Sequence, residues 1–292
     1  DWVAGDKAIR DIMDGVNTSW TRLNAPEIHD AVTAIVQNYK IENPEKSVKD
    51  LVQLYKVVNN LPSSVWKTYK LNEIKSLVQD CAGLFMEATS TQQQVFPGKN
   101  LPMQFSMNQR AHVQVNLGLV QLPGRDSIFN KTLGVNQNLV WDHNYSIPTS
   151  QSISQPYWLV SPKTEGMFVV NDQQLIGQPE NDPAFTCKLN VTIENQLFEF
   201  QIPVQYKYVD LTKGEVHQPI AVVPGQEIKY EKELHLMNGE KSIPVHYQII
   251  NHLGQNESKS FTVSDPNVPL PTPASAVYQK TIQYDHISTI TY

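Results

Sequence analysis

The chain has 292 residues, 40% of them hydrophobic, which is enough for well-packed cores and more than one domain usually needs. The net charge of -6 and the absence of a basic cluster argue against nucleic acid and anionic membranes as partners. No apolar run approaches the roughly 20 residues that span a bilayer. The first residues lack a signal-peptide pattern, and since the chain starts without Met inside a predicted helix, we expect its ends to be boundaries within a longer protein.

The first segment, residues 1–94, is predicted to be a small helical bundle or spacer. Apolar residues recur at helical spacing in three runs. Pro26 and Pro44 each follow an asparagine by one or two positions, as is typical of a first helical turn. Short connections favour antiparallel packing. The apolar positions of the three runs are Ile28, Ala31, Val32, Ile35, Val36 and Tyr39; Val48, Leu51, Val52, Tyr55 and Val58; and Leu71, Ile74, Leu77, Val78, Cys81 and Phe85.

From residue 95 onward, the periodicity changes to that of β-strands. Runs such as His112–Leu117, Lys188–Ile193 and Phe198–Val204 alternate apolar and polar residues, which indicates one buried and one wet face. Turn residues such as Glu194–Asn195 separate the runs. The fold class is therefore predicted to be α+β with segregated domains: a helical bundle followed by mainly antiparallel, immunoglobulin-like β-sandwich modules.

Two sandwiches are predicted, over residues 95–215 and 216–292, and the second of them is potentially incomplete. The segment Pro224–Ile228 resembles Val95–Lys99, because both place a Pro-Gly kink between strand-like runs. The proline-rich segment Pro266–Pro273 is predicted to be a stiff linker or an edge. A last strand-like run covers Tyr278–Tyr292.

The sequence contains no recognisable catalytic or metal-binding motif. The eight histidines form no His-Glu-x-x-His pattern, and Cys81 and Cys187 are predicted to be buried, unpaired thiols. No nucleophile elbow and no phosphate-binding glycine loop occur. We therefore predict no catalytic residue, no metal ligand and no cofactor in this chain. A cryptic interdomain hydrolase site using Asp142, His143 or Glu180 remains an alternative, with Asp142 and His143 predicted to lie in a loop.

Aromatic residues supply the candidate binding site. Tyr157 and Trp158 stand together in the run Gln155–Leu159, and Trp141 precedes Asp142. Trp158 either fills the core of a sandwich or offers its ring as a stacking platform for a sugar or a partner surface. The predicted binding residues are Trp158, Tyr157 and Trp141.

Several segments together resemble multidomain proteins of the LmbE/PIG-L-like deacetylase family of Bacteroidetes type. The order and spacing of these segments match across nearly the whole chain. The segments are Asp14–Arg22, Gln155–Leu159, Gly166, Leu175–Asn181, Pro203–Lys207, Gly214–Val216 and Ile282–Ile287.

The resemblance implies a parent enzyme that removes N-acetyl groups from amino sugars with a divalent metal, usually zinc. The family's His-Pro-Asp-Asp motif and its later His-x-x-His are both absent from this sequence, so no catalytic residue is carried over. Zinc is expected only in a catalytic domain upstream, and an amidotransferase-like domain is expected downstream. Both flanking domains are implied partners. A periplasmic, cell-surface or secreted location is also implied.

Three functional hypotheses follow. In the first, the chain is a non-catalytic accessory region that spaces domains and binds glycan or protein. In the second, it is a stand-alone carbohydrate-binding module with an exposed ring at Tyr157, Trp158 or Trp141. In the third, it is a hydrolase with the cryptic interdomain site.

Overall fold

A computed structural model describes residues 2–3, 6–7, 15, 17–230, 246–253, 257–263, 276–282 and 288–291. The chain divides into two compact units, each assembled from separate segments. Unit 1 takes residues up to Ala88, then Gln104–Asp142 and Thr186–Pro203, and unit 2 takes Thr89–Met103, His143–Phe185 and the residues from Val204 onward. The predicted division at residues 94 and 215 stays a prediction.

The predicted N-terminal helical part is present. Its helices are α1 (Glu27–Asn38), α2 (Val48–Asn59) and α3 (Val65–Cys81). Ser64 begins α3, since its Oγ accepts a hydrogen bond from the Lys67 N–H at 3.1 Å, a bond typical of N-caps. Among the described residues, no helix is both long and apolar enough to cross a membrane.

Several details of the predicted helical segment are wrong. Trp2–Val3 and Asp6–Lys7, expected to be helical, pair as two short strands, and Leu77, assigned to the apolar face of the third helix, is 50% exposed. On α1, Val36 is 69% exposed and Tyr39 lies beyond the helix end, so the buried stripe is shorter than its spacing suggests. Phe85, assigned by its spacing to the third helix, lies instead in a strand that starts at Leu84. Gly83, at φ +60, separates α3 from that strand, because a left-handed residue ends a helix readily.

The rest of the described chain is mostly β-structure. The strands are β1 (Trp2–Val3), β2 (Asp6–Lys7), β3 (Leu84–Ser90), β4 (Gln94–Val95), β5 (Asn100–Gln109), β6 (Val115–Leu122), β7 (Arg125–Thr132), β8 (Leu139–Ser146), β9 (Thr186–Ile193), β10 (Gln196–Asp210), β11 (Gly214–Pro219), β12 (Ala221–Val222), β13 (Gln226–Tyr230), β14 (His246–Asn251), β15 (Glu257–Val263), β16 (Ala276–Ile282) and β17 (Ser288–Thr291).

The largest sheet of the described residues has eight strands in the order β7-β6-β9-β10-β3-β5-β8, with β11 also paired to β10. Strands β6, β7, β9 and β10 pair antiparallel along this path. Glu194 and Asn195 connect β9 to β10 with φ values of 46° and 64°, as a two-residue hairpin turn requires. The predicted strands Lys188–Ile193 and Phe198–Val204 lie in β9 and β10, whereas the predicted strand His112–Leu117 begins only at Val115.

The core of unit 1 lies where α2 and α3 meet the sheet. Val52 and Val58 of α2 and Val78 of α3 are buried. The Tyr55 ring of α2 meets the Phe198 ring of β10 edge-on at 4.8 Å. Burial of each such side chain contributes about 1.5–3 kcal/mol, so this apolar contact fixes the helices on the strands.

The two Pro-Gly kinks that echo each other in sequence follow two strands that pair with each other. In unit 2, β4 and β12 run parallel, with Val95 aligned to Val222. The Val223 N–H donates to the Val95 carbonyl oxygen at 2.9 Å. The echo therefore marks a pair of short strands. Strands β13, β14 and β17 form one further antiparallel sheet, and β15 pairs with β16. The predicted linker Pro266–Pro273 lies outside the described residues.

Candidate functional site

A long connection in unit 2 joins β8 to β9 and holds the sharpest aromatic cluster of the sequence. It runs from Ile147 to Phe185 and contains only two short 3-10 helices, Tyr157–Leu159 and Gln173–Leu175, and the bridge Thr164–Met167. Loops longer than about 12–15 residues are uncommon in compact domains, and they usually either serve a function or act as linkers. This connection is therefore the first place to look for a site.

Three attachments hold this loop to the rest of unit 2. Ile147 exchanges backbone hydrogen bonds with Gly98 and Lys99 at 3.0 and 2.8 Å. Ser154 exchanges two bonds with Val222, one from its backbone N–H and one to its hydroxyl. Phe185 is buried, and its carbonyl accepts from Val204 at 2.9 Å. The loop is thus tied down at both ends and near its first helical turn.

The middle of the loop forms an open pocket of about 670 Å³, here termed the loop pocket. Its lining residues are Tyr157, Trp158, Met167, Phe168, Val170, Gln173 and Ile176. All but Gln173 are apolar or aromatic. Met167 is 71% exposed, and Phe168 and Ile176 are each 57% exposed. Large apolar side chains with this much exposure, gathered on one wall, mark interaction surfaces in soluble proteins.

Asn181 holds the aromatic wall of the loop pocket, which is formed by Tyr157 and Trp158. Its side-chain hydrogen bonds are here termed the Asn181 clamp. Its side-chain oxygen accepts from the Tyr157 N–H at 3.0 Å, and its Nδ2 donates to the Gln155 carbonyl at 2.6 Å. The Tyr157 hydroxyl donates to the Gln178 carbonyl at 3.3 Å. One amide therefore joins the segment around residue 180 to the start of the first 3-10 helix. This segment therefore orients the aromatic wall.

The rings of Tyr157 and Trp158 are both half-buried and stand at right angles. Their centroids are 4.9 Å apart, and their planes make an angle of 89°. Trp158 lies in this loop and is not among the fully buried core residues; its predicted role in binding stays a prediction. The perpendicular arrangement means that a flat ligand can lie on only one of the two rings at a time.

Carboxylates outnumber ammonium groups around the loop pocket. The loop carries Glu165, Asp172, Glu180 and Asp182 but only Lys163 as a base. Glu180 and Asp182 flank the Asn181 clamp, and Asp172 adjoins Gln173 of the lining. The Asp172 carboxylate accepts from the Gln174 N–H at 2.9 Å and so caps the second 3-10 helix. The loop that carries the apolar pocket therefore has a net negative charge.

Trp141 belongs to an aromatic cluster of unit 1. Its ring lies 4.0 Å from the Phe105 ring and 4.5 Å from the Phe129 ring. Its Nε1 is buried without a hydrogen-bond partner in the described part of the chain. Two sides of the ring are thus occupied by neighbouring aromatics. Its predicted role in binding stays a prediction.

The residues of the alternative hydrolase site do not show a catalytic arrangement within either unit. Asp142 and His143 lie in strand β8, and the prediction that they lie in a loop is wrong. Since successive residues of a strand point to opposite faces, adjacent Asp and His side chains diverge. The Asp142 carboxylate accepts from the Gln104 side chain at 3.0 Å. Glu180 is exposed beside the Asn181 clamp.

A second cavity of unit 2, of about 440 Å³, lies beside the Pro224–Gly225 kink. The Phe96 and His252 rings stack there with centroids 5.0 Å apart. The Glu227 carboxylate lies 3.3 Å from the Lys229 ammonium and 3.8 Å from the His252 ring nitrogen. Its charged groups already have partners within the unit, so it is a weaker candidate than the loop pocket.

Sequence reasoning found Tyr157 and Trp158 but missed the other walls of the loop pocket. Met167, Phe168 and Ile176 show neither helical nor strand periodicity, because they belong to an irregular loop. An available signal was the conjunction of large apolar residues with Gly166 and Gly177, which both take positive φ values. Apolar residues between such turns have no core to enter and remain exposed.

No family model and no curated protein matches this sequence. A solved structure with some likeness is the CARDB domain of a Pyrococcus furiosus protein in complex with di-metal ions, at 13% identity and a TM-score of 0.25, over 48% of this chain and 87% of that one. A second is the Pseudomonas fluorescens alkylpurine DNA glycosylase AlkC bound to DNA with an abasic site analog. Its identity is 7% and its TM-score 0.18, over 57% of this chain and 48% of that one. A third is the sporulation control protein Spo0M of Bacillus subtilis, at 7% identity and a TM-score of 0.22, over 72% of this chain and 90% of that one. Scores this low carry no argument about fold or function.

Proposed function

We propose that this chain is a non-catalytic accessory region of a larger protein and that it binds a partner in the loop pocket. The carrying observation is the pocket itself: six apolar or aromatic side chains line an open cavity on a loop tied down at several points. A pre-formed apolar cavity with few polar groups is the usual form of a binding site. The accessory role fits a chain without a recognisable catalytic motif.

The larger protein is proposed to be an N-acetyl-sugar deacetylase of the LmbE/PIG-L type, exported to the periplasm or the cell surface. The support is the ordered series of sequence segments described above. In such a protein the helical part and the β-rich part would set the distance between the flanking domains. Tethering of this kind raises the effective concentration of one module near another.

The β-rich part is further proposed to be organised as antiparallel, immunoglobulin-like sandwich modules. Support comes from antiparallel pairing along β6, β7, β9 and β10 and from the alternating burial of β5. Loops at the end of a sandwich commonly carry its binding residues. The loop pocket would then be such an end loop.

Carbohydrate is a second candidate ligand, because Trp158 is half-exposed and sugar rings stack on tryptophan. Gln173 is the polar side chain of the lining that could accept or donate a hydrogen bond to a hydroxyl.

A titration with Nile red, a neutral apolar dye, tests whether the loop pocket binds. We expect saturable fluorescence enhancement that Trp158→Ala and Phe168→Ser each weaken by roughly tenfold, the effect of losing a central apolar contact. The matched control is Leu211→Ser, which removes a fully exposed leucine at the β10–β11 hairpin of the same unit. Equal weakening by the control, or dye binding unaffected by all three changes, would contradict the proposal.

A further inference from the structure

We infer that the loop pocket recognises a polypeptide segment that has an apolar anchor side chain flanked by lysine or arginine. This inference rests on the proposed binding function and names the chemical class of its partner. It joins two observations that are independent of each other: the composition of the pocket walls and the charge of the loop that carries them.

The walls favour an apolar anchor. Met167, Phe168 and Ile176 together expose a large apolar surface, and Val170 lines the same cavity. Methionine and aromatic residues are enriched where proteins bind each other, because aromatic rings bury much apolar area and the flexible methionine side chain adapts to the partner's shape. A leucine or phenylalanine side chain entering the cavity would remove these groups from water.

The acidic residues of the loop favour basic residues on either side of that apolar anchor. Glu165, Glu180 and Asp182 are exposed, and in the described part of the chain none of the three forms an ion pair. The Asn181 clamp holds the Glu180–Asp182 segment against the aromatic wall. Cationic side chains on either side of an apolar anchor would meet these carboxylates. Such complementarity mainly speeds encounter and rejects acidic competitors.

The same geometry disfavours a sugar. Hydroxyl groups that enter a cavity must find hydrogen-bond partners, since an unsatisfied buried polar group costs about 1–3 kcal/mol. Among the lining side chains, polar groups are few: the Gln173 amide, the Trp158 indole N–H and the Tyr157 hydroxyl, which already donates to the Gln178 carbonyl. The perpendicular rings also offer no extended platform to a chain of sugars.

The test uses three fluorescent peptides that share a leucine–phenylalanine centre and differ in their flanks, which are lysine, serine or glutamate. A fourth peptide keeps the lysine flanks and replaces the centre with serine. Binding to the chain is measured by fluorescence anisotropy, and an N-acetylglucosamine oligomer is titrated separately. We expect affinity to fall in the order lysine, serine, glutamate, with roughly tenfold between the first and the last. The serine-centred peptide should not bind.

Substitutions in the loop test whether its carboxylates cause this order of peptide affinities. Glu180→Gln combined with Asp182→Asn should reduce the preference for lysine flanks and leave binding of the serine-flanked peptide unchanged. Glu27→Gln combined with Asp30→Asn on α1 is the matched control and should leave the preference intact. Raising the ionic strength to about 1 M, where the Debye length is near 3 Å, should also remove the preference.

The outcomes separate the inference from the function on which it rests. Equal affinity for all flanks, or a preference that survives the double variant at residues 180 and 182, would overturn the inference. Saturable binding of the sugar oligomer without peptide binding would overturn it too, while the binding function would stand. If neither peptides, sugar nor Nile red bind, the proposed function itself fails.

Discussion

Cys187 lies in strand β9 with no exposed surface, and burial raises the pKa of its thiol to about 12. The pKa of the buried Cys81 thiol is also raised, mainly by burial and further by the charges of Asp80 and Glu45. In an unfolded chain a thiol ionises near pH 8.5. Between about pH 8.5 and pH 12, the Cys187 thiol is therefore protonated in the folded state and ionised in the unfolded state. Above pH 8.5 this difference favours unfolding, and the contribution to stability is lost as pH rises toward the folded pKa.

Cys187→Ala should therefore flatten the alkaline fall of stability. Between about pH 8 and about pH 10, the free energy of unfolding of the parent chain should fall by about 1–2 kcal/mol more than that of the variant. The variant will be less stable at neutral pH because it leaves a small cavity, so only the slopes are compared. Urea unfolding at a series of pH values supplies them. Parallel curves for the two proteins would show that the thiol does not titrate differently on unfolding.

At the same scale, the sequence pointed to Tyr157 and Trp158, which are neighbours along the chain, and the structure places both in the lining of one pocket. Tyr157 and Trp158 stand together, so their joint placement needed no long-range knowledge. Their partner Asn181 could not be found in this way, because its hydrogen bonds to Gln155 and Tyr157 cross more than twenty residues of irregular loop. Asp142 and His143 were predicted to lie in a loop, but both lie in strand β8, because a short polar run can continue a strand that its neighbours define.

At the scale of elements, the decisive feature is a loop whose order depends on a few polar contacts. The first N–H of the 3-10 helix Tyr157–Leu159 donates to the Asn181 side chain, whereas the N-cap residue, Pro156, supplies no side-chain hydrogen bond. An intramolecular hydrogen bond of this kind contributes about 0.5–1.5 kcal/mol. The loop pocket should therefore loosen when this one amide is removed, while the sheet persists.

Asn181→Ala tests that dependence. Hydrogen exchange of the Tyr157 amide should accelerate by roughly fivefold to tenfold, since its acceptor is lost, and Nile red binding should weaken with it. Global stability should change by less than about 1 kcal/mol, as is common for exposed positions. Asn171→Ala, an exposed asparagine in the same loop, is the control and should change neither quantity. Unchanged exchange at Tyr157 would mean that the clamp does not order the wall.

The elements themselves were largely predictable wherever a period repeats. The helical spacing on α2 and the alternation along β9 and β10 led to the correct elements because each pattern is local. The end of α3 was missed because apolar spacing carries through Gly83 into β3. The resemblance between the two Pro-Gly kinks suggested tandem modules. The structure pairs the short strands before them, a long-range contact that no local pattern reveals.

At the scale of the whole molecule, the two compact units are interleaved along the chain. Strands β3, β5, β8 and β10 each contribute residues to both units, so composition shifts along the sequence do not mark their limits. A prediction from sequence divides the chain into consecutive segments wherever the periodicity changes, so it cannot find units that are built from separate segments. At this scale our proposal is functional: the chain binds a partner through the loop pocket as an accessory region, and catalysis is proposed to belong to another part of the larger protein.

The most direct test of that claim is an assay of acetate release from an N-acetylglucosamine oligomer by this chain, with bound zinc determined on the same sample and the full-length protein assayed in parallel. The account predicts acetate release by the full-length protein only, and no stoichiometric zinc in this chain. Acetate release together with bound zinc in this chain alone would contradict it, and the histidines would then have to be reconsidered as metal ligands.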